Sequence, residues 1–234
     1  MKKRVLYMAL SVFLMTVLAA LSGRSAQDIK LLMAGQFHGD EVSAKSGEKW
    51  FGVFPEKDGF ELVETVIKVS LFEDPIVDDE GEKTGKEVTT DKKETPLFLV
   101  KGVSGLKQGR VQTIFTGSLF LEPGQHLVLK LNDQDQFHFS ASAGRKTEDG
   151  SARDYKIELR HGEISQTIVS MPATDSDGQP ALLWAGDIDR DGKPDLLMDL
   201  THHYNMEIYT LFLSSKAGKG ELVEQVAEFV SVGC

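Results

Sequence analysis

The chain has 234 residues, with 26 Lys and Arg against 36 Asp and Glu, for a formal net charge of −10 at pH 7. An acidic surface repels a phosphate backbone, and no basic patch with interleaved aromatics appears, so nucleic-acid binding is excluded. The one cysteine, Cys234, excludes an intramolecular disulfide and leaves a free thiol or a disulfide-linked dimer.

The chain opens with Lys2, Lys3 and Arg4, an almost continuously apolar run from Val5 to Leu21, and the small residues Ala19, Ala20, Ser22 and Gly23. A basic head, an apolar stretch and a small-residue end predict a secretory signal peptide over residues 1–22 rather than an uncleaved anchor. Cleavage after Ser22 places Ala20 at the minus-three position and takes the charge from −10 to −13. Leu21-Ser22-Gly23 has the look of a lipobox, but Arg24 stands where a lipidated cysteine is required, so no lipid anchor and no membrane attachment after cleavage are expected. The protein is expected outside the cytoplasm, periplasmic or extracellular, with an unidentified envelope or extracellular partner.

The remaining ~210 residues suit one sizeable domain or two small ones. They read as mainly β, in antiparallel, sandwich-like sheets. An N-terminal β unit is predicted over 23–76, where Phe60 to Val69 alternates and is rich in β-branched residues. Trp50, Phe51 and Phe54 do not share one strand face, so they are expected in a core rather than on a sugar-stacking platform. Residues 77–95, with Asp78-Asp79-Glu80-Gly81-Glu82-Lys83, read as an exposed acidic loop.

A C-terminal β unit is predicted over 96–234. Its strands are Gln112 to Phe115, His126 to Leu131, Tyr155 to Leu159, Glu163 to Val169, Ala181 to Trp184 and Glu207 to Leu213. Glu122-Pro123-Gly124 and Ser176-Asp177-Gly178 mark turns, and His161-Gly162 between alternating runs predicts a tight hairpin. Residues 142–152 read as a second loop. Leu222 to Val232 fits a last strand or a short helix, with Val230 and Val232 favouring the strand.

The most informative stretch is Asp187-Ile188-Asp189-Arg190-Asp191-Gly192-Lys193-Pro194-Asp195. Carboxylates stand at loop positions one, three, five and nine, and Gly192 at six permits a sharp turn. Ca²⁺ takes six to eight oxygens at roughly 2.3–2.6 Å, and alternate aspartates on one tight loop can converge to supply them. The expected ligands are Asp187, Asp189, Asp191 and Asp195, with the backbone carbonyl of Lys193. A helix–loop–helix calcium hand needs a Glu at position twelve, where Met198 stands, and Pro194 opposes helix entry. The flanks, Ala181 to Asp187 and Asp195 to Leu200, read as strands, so the loop joins a hairpin.

Ala185 to Leu197 resembles the calcium hairpin of FG-GAP repeats in integrin-type β-propellers, where Asp-x-Asp-x-Asp-Gly-x-x-Asp joins two strands and holds Ca²⁺. The resemblance covers 182–213 and implies the same four carboxylates and one carbonyl. A propeller needs several such repeats at a regular period, and one copy is present. The hairpin is therefore expected as a single calcium staple in a sandwich-like domain, and the integrin role in adhesion does not carry over.

No other pattern carries chemistry with comparable force. Adjacent His202-His203 would point to opposite faces of a strand and is expected in a turn; His126 and His138 are expected on the surface. His38 lies near Asp40 and Glu41 without a spacing that forces convergence. Ser104 lacks the flanking glycine of a nucleophile elbow, and Gly102, Gly105 and Gly109 lack the strand–loop–helix frame of a phosphate loop. No catalytic residue is assigned. The expectation is an exported, non-catalytic calcium-binding structural or binding module. The alternative is a secreted hydrolase acting on polysaccharide or peptide, which a pocket holding His38 or His202 near carboxylates would favour.

Overall fold

The computed structural model describes residues 28–132 and 135–233. The signal-peptide segment 1–22 and Cys234 lie outside them. The regular structure of the described chain is nearly all strand, as its alternating patterns predict, and among the described residues no helix is long and apolar enough to cross a membrane.

In chain order the strands are β1 (Lys30–Leu32), β2 (Gly35–Phe37), β3 (Lys49–Glu56), β4 (Gly59–Phe72), β5 (Gly85–Thr90), β6 (Phe98–Lys101), β7 (Gly109–Phe120) and β8 (His126–Lys130). They continue as β9 (Gln136–Ser142), β10 (Arg145–Lys146), β11 (Ala152–His161), β12 (Ile164–Thr174), β13 (Ala181–Asp187), β14 (Asp195–Asp199), β15 (Met206–Leu213) and β16 (Glu224–Val232). A 3₁₀ turn at Ser214–Lys216 follows β15. The ambiguous C-terminal segment is a strand paired along its length with β15.

Two antiparallel sheets result. One follows the order β1-β6-β3-β4-β7-β13-β14-β15-β16 and curls into a nearly closed barrel, with β5 joined to the outer part of β4 and β2 to β5. The other contains β10, β11, β9 and β8, with β12 beside β11. β11 and β12 form the predicted tight hairpin: His161 pairs with Ile164, and Gly162 takes a φ of 56° at the first of the two turn positions.

The stretch 77–95, expected as one exposed loop, is interrupted by β5. Val88 is buried there at 1% exposure, and Ile67 to Phe72 of β4 offers a free edge once β3 has ended. The large sheet also runs without a break through the two units placed on either side of that stretch. β6 lies between β1 and β3, and β4 pairs with β7.

β13, β14 and the second half of β15 are buried on both faces. Trp184, Leu197, Leu211 and Leu213 join the core inside the barrel with Val53, Leu62, Phe98 and Leu99. Their neighbours Leu182, Ala185, Leu196, Met198 and Phe212 face the five-stranded sheet and join Phe139, Tyr155, Ile157 and Leu159. This explains the continuous apolar runs Ala181 to Ala185 and Leu196 to Met198, which a strand with one wet face would interrupt. Both partners of β13 show a register shift between Leu182 and Trp184, a bulge that lets Leu183 and Trp184 lean toward the same core.

Candidate metal centre

The aspartate loop leaves the sheet at its most buried point. Asp187 closes β13 and Asp195 opens β14; they are 6% and 0% exposed. Gly186 cannot be larger, because a Cβ there would come within 2.5 Å of the Gln112 carbonyl oxygen. Gly192, at a φ of 82°, makes the predicted sharp turn. Arg190 also adopts a positive φ, 64°, and its guanidinium donates to the Gln108 carbonyl at 3.0 Å, fastening the loop to the start of β7.

Backbone N–H groups orient the carboxylates. Asp187 Oδ1 and Oδ2 accept from the N–H groups of Asp191 and Gly192 at 3.1 and 3.0 Å. Asp195 Oδ2 accepts from the Ile188 N–H at 2.9 Å, and its Oδ1 from the Ser214 N–H at 2.9 Å. Ser215 Oγ donates to Asp189 Oδ2. Carboxylate oxygens of Asp187, Asp189 and Asp195 lie within 4.8 Å of one another. That is the span across an ion bound at about 2.4 Å on each side.

The cluster is short of positive partners. Asp189 Oδ1 is buried and accepts no hydrogen bond. Ser214 Oγ sits 3.0–3.1 Å from both Asp191 oxygens and from Asp195 Oδ1, yet it has one proton to give. Among the described residues none of the ion pairs reaches these aspartates. At this spacing two carboxylates repel by roughly 3–4 kcal/mol at an effective dielectric constant of 20. Burial pushes the Asp195 carboxyl up to about 8, with the Asp189 charge adding to it and the Ser214 and Ile188 N–H groups opposing. Burial raises Asp187 too, against the pull of the Gly192 N–H. A buried aspartate triad that could hold a metal ion is therefore built into the centre of the sheet.

Of the five expected ligands, the structure brings together Asp187, Asp189 and Asp195. Asp191 is exposed and turned toward Ser214 and the Lys193 N–H, 2.8 Å from its Oδ1. Ser214 and Ser215 complete the site from the 3₁₀ turn and were not foreseen. The serine pair stands 19 and 26 residues from its aspartate partners Asp195 and Asp189, and no local pattern links them.

The other candidates separate cleanly. His38 Nδ1 meets Asp74 Oδ2, and Glu41 accepts from the His38 N–H at 3.0 Å. The Asp74 hydrogen bond holds His38 above its ordinary pKa, against some loss from burial. His203 lies in a turn, with Nδ1 2.6 Å from Asn205 Oδ1. His126 and His138 are exposed on β8 and β9. Trp50, Phe54 and Trp184 are buried, so no aromatic platform forms. Searches of protein-family models, curated proteins and solved structures found no match to this chain.

Proposed function

We propose that this chain is an exported, non-catalytic structural or binding module in which one Ca²⁺ fixes the β13–β14 hairpin. The observation that carries the reading is the buried, unpartnered Asp189 Oδ1 within a converging aspartate triad. A cation satisfies that oxygen and cancels the mutual repulsion. The donors are hard oxygens, which disfavours soft transition metals. Mg²⁺ demands near-ideal octahedral geometry and keeps several waters, whereas Ca²⁺ accepts a flexible, irregular spread of oxygens such as one loop supplies. The site sits between two cores and is tied to the turn after β15 by Ser214 and Ser215, a placement that serves stapling rather than turnover. Export is supported by residues 1–22, and the mature chain would begin at Gly23. N-terminal sequencing of protein recovered outside the cytoplasm tests that point.

Thermal melts with Ca²⁺, Mg²⁺ and chelator test the cation. An ion at about 100 times its Kd stabilises by about 2.7 kcal/mol, and for a domain of this size that raises Tm by roughly 5–10 °C. Asp189→Asn should abolish the Ca²⁺ shift. An identical Tm in calcium and chelator would sink the reading.

One observation favours hydrolysis as a second reading. His38, which meets Asp74, borders an opening of about 690 Å³ lined also by Asp40, Glu41, Val77 and Val232. Asp74 would orient the imidazole, and the other ring nitrogen would serve as general base. Wild type and His38→Ala assayed on polysaccharide and peptide panels decide it: activity lost in the variant supports the hydrolase, and no turnover by wild type removes it.

A further inference from the structure

Every pairing along the nine-strand path is antiparallel, so direction alternates at each step and the first and ninth strands run the same way. β1 and β16 lie side by side where the barrel would close. Among the described residues no ladder and no backbone hydrogen bond joins them. An odd ring of antiparallel strands can close only through one parallel pair, which is the weaker pairing. Here β1 offers just three residues to it.

The outer edge of β16 can be read residue by residue. The Gly233 N–H donates to the Asn205 carbonyl on the β15 side, while the Val232 N–H points the other way, to Glu41 Oε1 at 2.5 Å. Alternation then directs the backbone groups of Val230 and Glu228 away from β15, toward β1. Ile208, opposite Val230, confirms the phase, because its own N–H and carbonyl are engaged on the β14 side by Asp199 and Leu200. Val230 and Glu228 thus present an unpaired strand edge.

A cavity of about 400 Å³ lies along this seam, floored by Leu31, Leu32, Trp50 and Phe229. Trp50 is 3% exposed, and its indole N–H has no acceptor. The Glu48 carboxylate is held by Lys101 at 2.7 Å, which lowers its pKa most, and the Trp50 N–H adds the smallest part of that lowering without making a well-formed hydrogen bond. The rim carries Glu41, Glu48 and Glu228 against Lys30, with Lys101 paired to Glu48, which leaves an excess of one carboxylate.

We propose that the seam accepts an extended, basic peptide segment of a partner protein, running antiparallel to both β1 and β16. A tenth strand makes the ring even, so both of its new pairings are antiparallel and both free edges are satisfied. Two strands flanking an inserted one stand about 9.5 Å apart, so the seam must widen, and the three-residue β1 is the element that moves. Affinity comes from main-chain hydrogen bonds to Glu228 and Val230, and the acidic rim selects lysine or arginine on alternate residues.

The test uses a fluorescent, end-blocked peptide of alternating lysine and valine, titrated against the full chain by anisotropy. Saturable binding is expected to weaken at least about tenfold when alternate peptide nitrogens are methylated, since several main-chain bonds are lost. Val230→Pro, which removes an edge N–H without touching a bond to β15, should weaken it similarly, and Val230→Thr should not. Melting curves confirm that both variants fold. Absence of binding overturns the proposal, as does equal binding of the methylated peptide or of the Val230→Pro variant, which would reveal simple charge adsorption. A dimer through this seam in sedimentation, or peptide binding that appears only after residues 23–27 are removed, would also overturn it, by naming a second copy or the chain's own N-terminal segment as occupant.

Discussion

The turn between β13 and β14 and the turn between β4 and β5 both gather aspartates, but only the first leaves them in want of a partner. Asp78 accepts from the Asp74 N–H at 2.7 Å, from the Thr84 N–H at 2.8 Å and from the Thr84 hydroxyl. Asp74 accepts from the Ile76 N–H and meets His38. The Thr84 hydroxyl lowers the pKa of Asp78, and His38 lowers that of Asp74. In the β13–β14 turn burial raises Asp187 and Asp195, and one oxygen of Asp189 has no donor at all. A deficit of donors, not a density of aspartates, separates the cluster that could hold a cation from the one that is already satisfied.

The sharpest way to break this contrast is Asp195→Ala. It leaves the buried N–H groups of Ile188 and Ser214 without acceptors, a loss of roughly 2–6 kcal/mol at about 1–3 kcal/mol each. Urea unfolding should show that loss together with the disappearance of any calcium effect. A calcium shift that survives would remove Asp195 from the site.

Next in size is the pH response of the cation-free protein. Asp195 titrates at about 8 when folded and near its ordinary 3.8 when unfolded. Between those values the native state binds more protons than the unfolded state, so stability must fall as pH rises, by at most about 1.4 kcal/mol per pH unit. Unfolding midpoints in chelator should decline across that window, and saturating Ca²⁺ should flatten the decline. A flat profile in chelator would show that the triad is not short of positive charge.

Asp78→Ala sharpens the comparison from the other side. It should cost about 1–2 kcal/mol through lost hydrogen bonds to the turn while leaving the calcium-dependent Tm increment unchanged. A changed increment would mean that the second turn takes part in binding. The smallest effect belongs to His38→Gln. In the wild type the raised pKa of His38 contributes stability that is complete below about 6.5 and is lost as pH rises through the raised value. The variant should lack that dependence; melts of the wild type and the variant compared at each pH isolate it, because Asp195 contributes equally to both.

The convergence of Asp187, Asp189 and Asp195 was legible because they are close in sequence and the segments on either side of them read as strands. Ser214 and Ser215 were not, since they reach the site only through the pairing of β14 with β15. β5 was hidden because Gly-Lys-Glu-Val-Thr-Thr shows one large apolar residue, and it is the free edge of β4 that makes it a strand. The supposed boundary at 77–95 failed for a related reason: composition changes there, but strand pairing passes over it. The burial of β13 and β14 on both faces could not be separated from ordinary core burial by the apolar run alone.

The bulge at Leu183 has a further consequence. Side chains on a strand alternate, so each residue beyond an irregularity inherits its phase. By absorbing one position, the bulge sends Trp184 into one core and Ala185 into the other, and it decides that Asp187 arrives at the strand's end facing Asp195. Were Leu183 an ordinary ladder residue, strict alternation would swing the indole to the face that Ala185 now takes, a space sized for a methyl group, and turn the first carboxylate to the opposite face. The chemistry of the loop is thus set four residues before it begins, by a step in the counting of a strand.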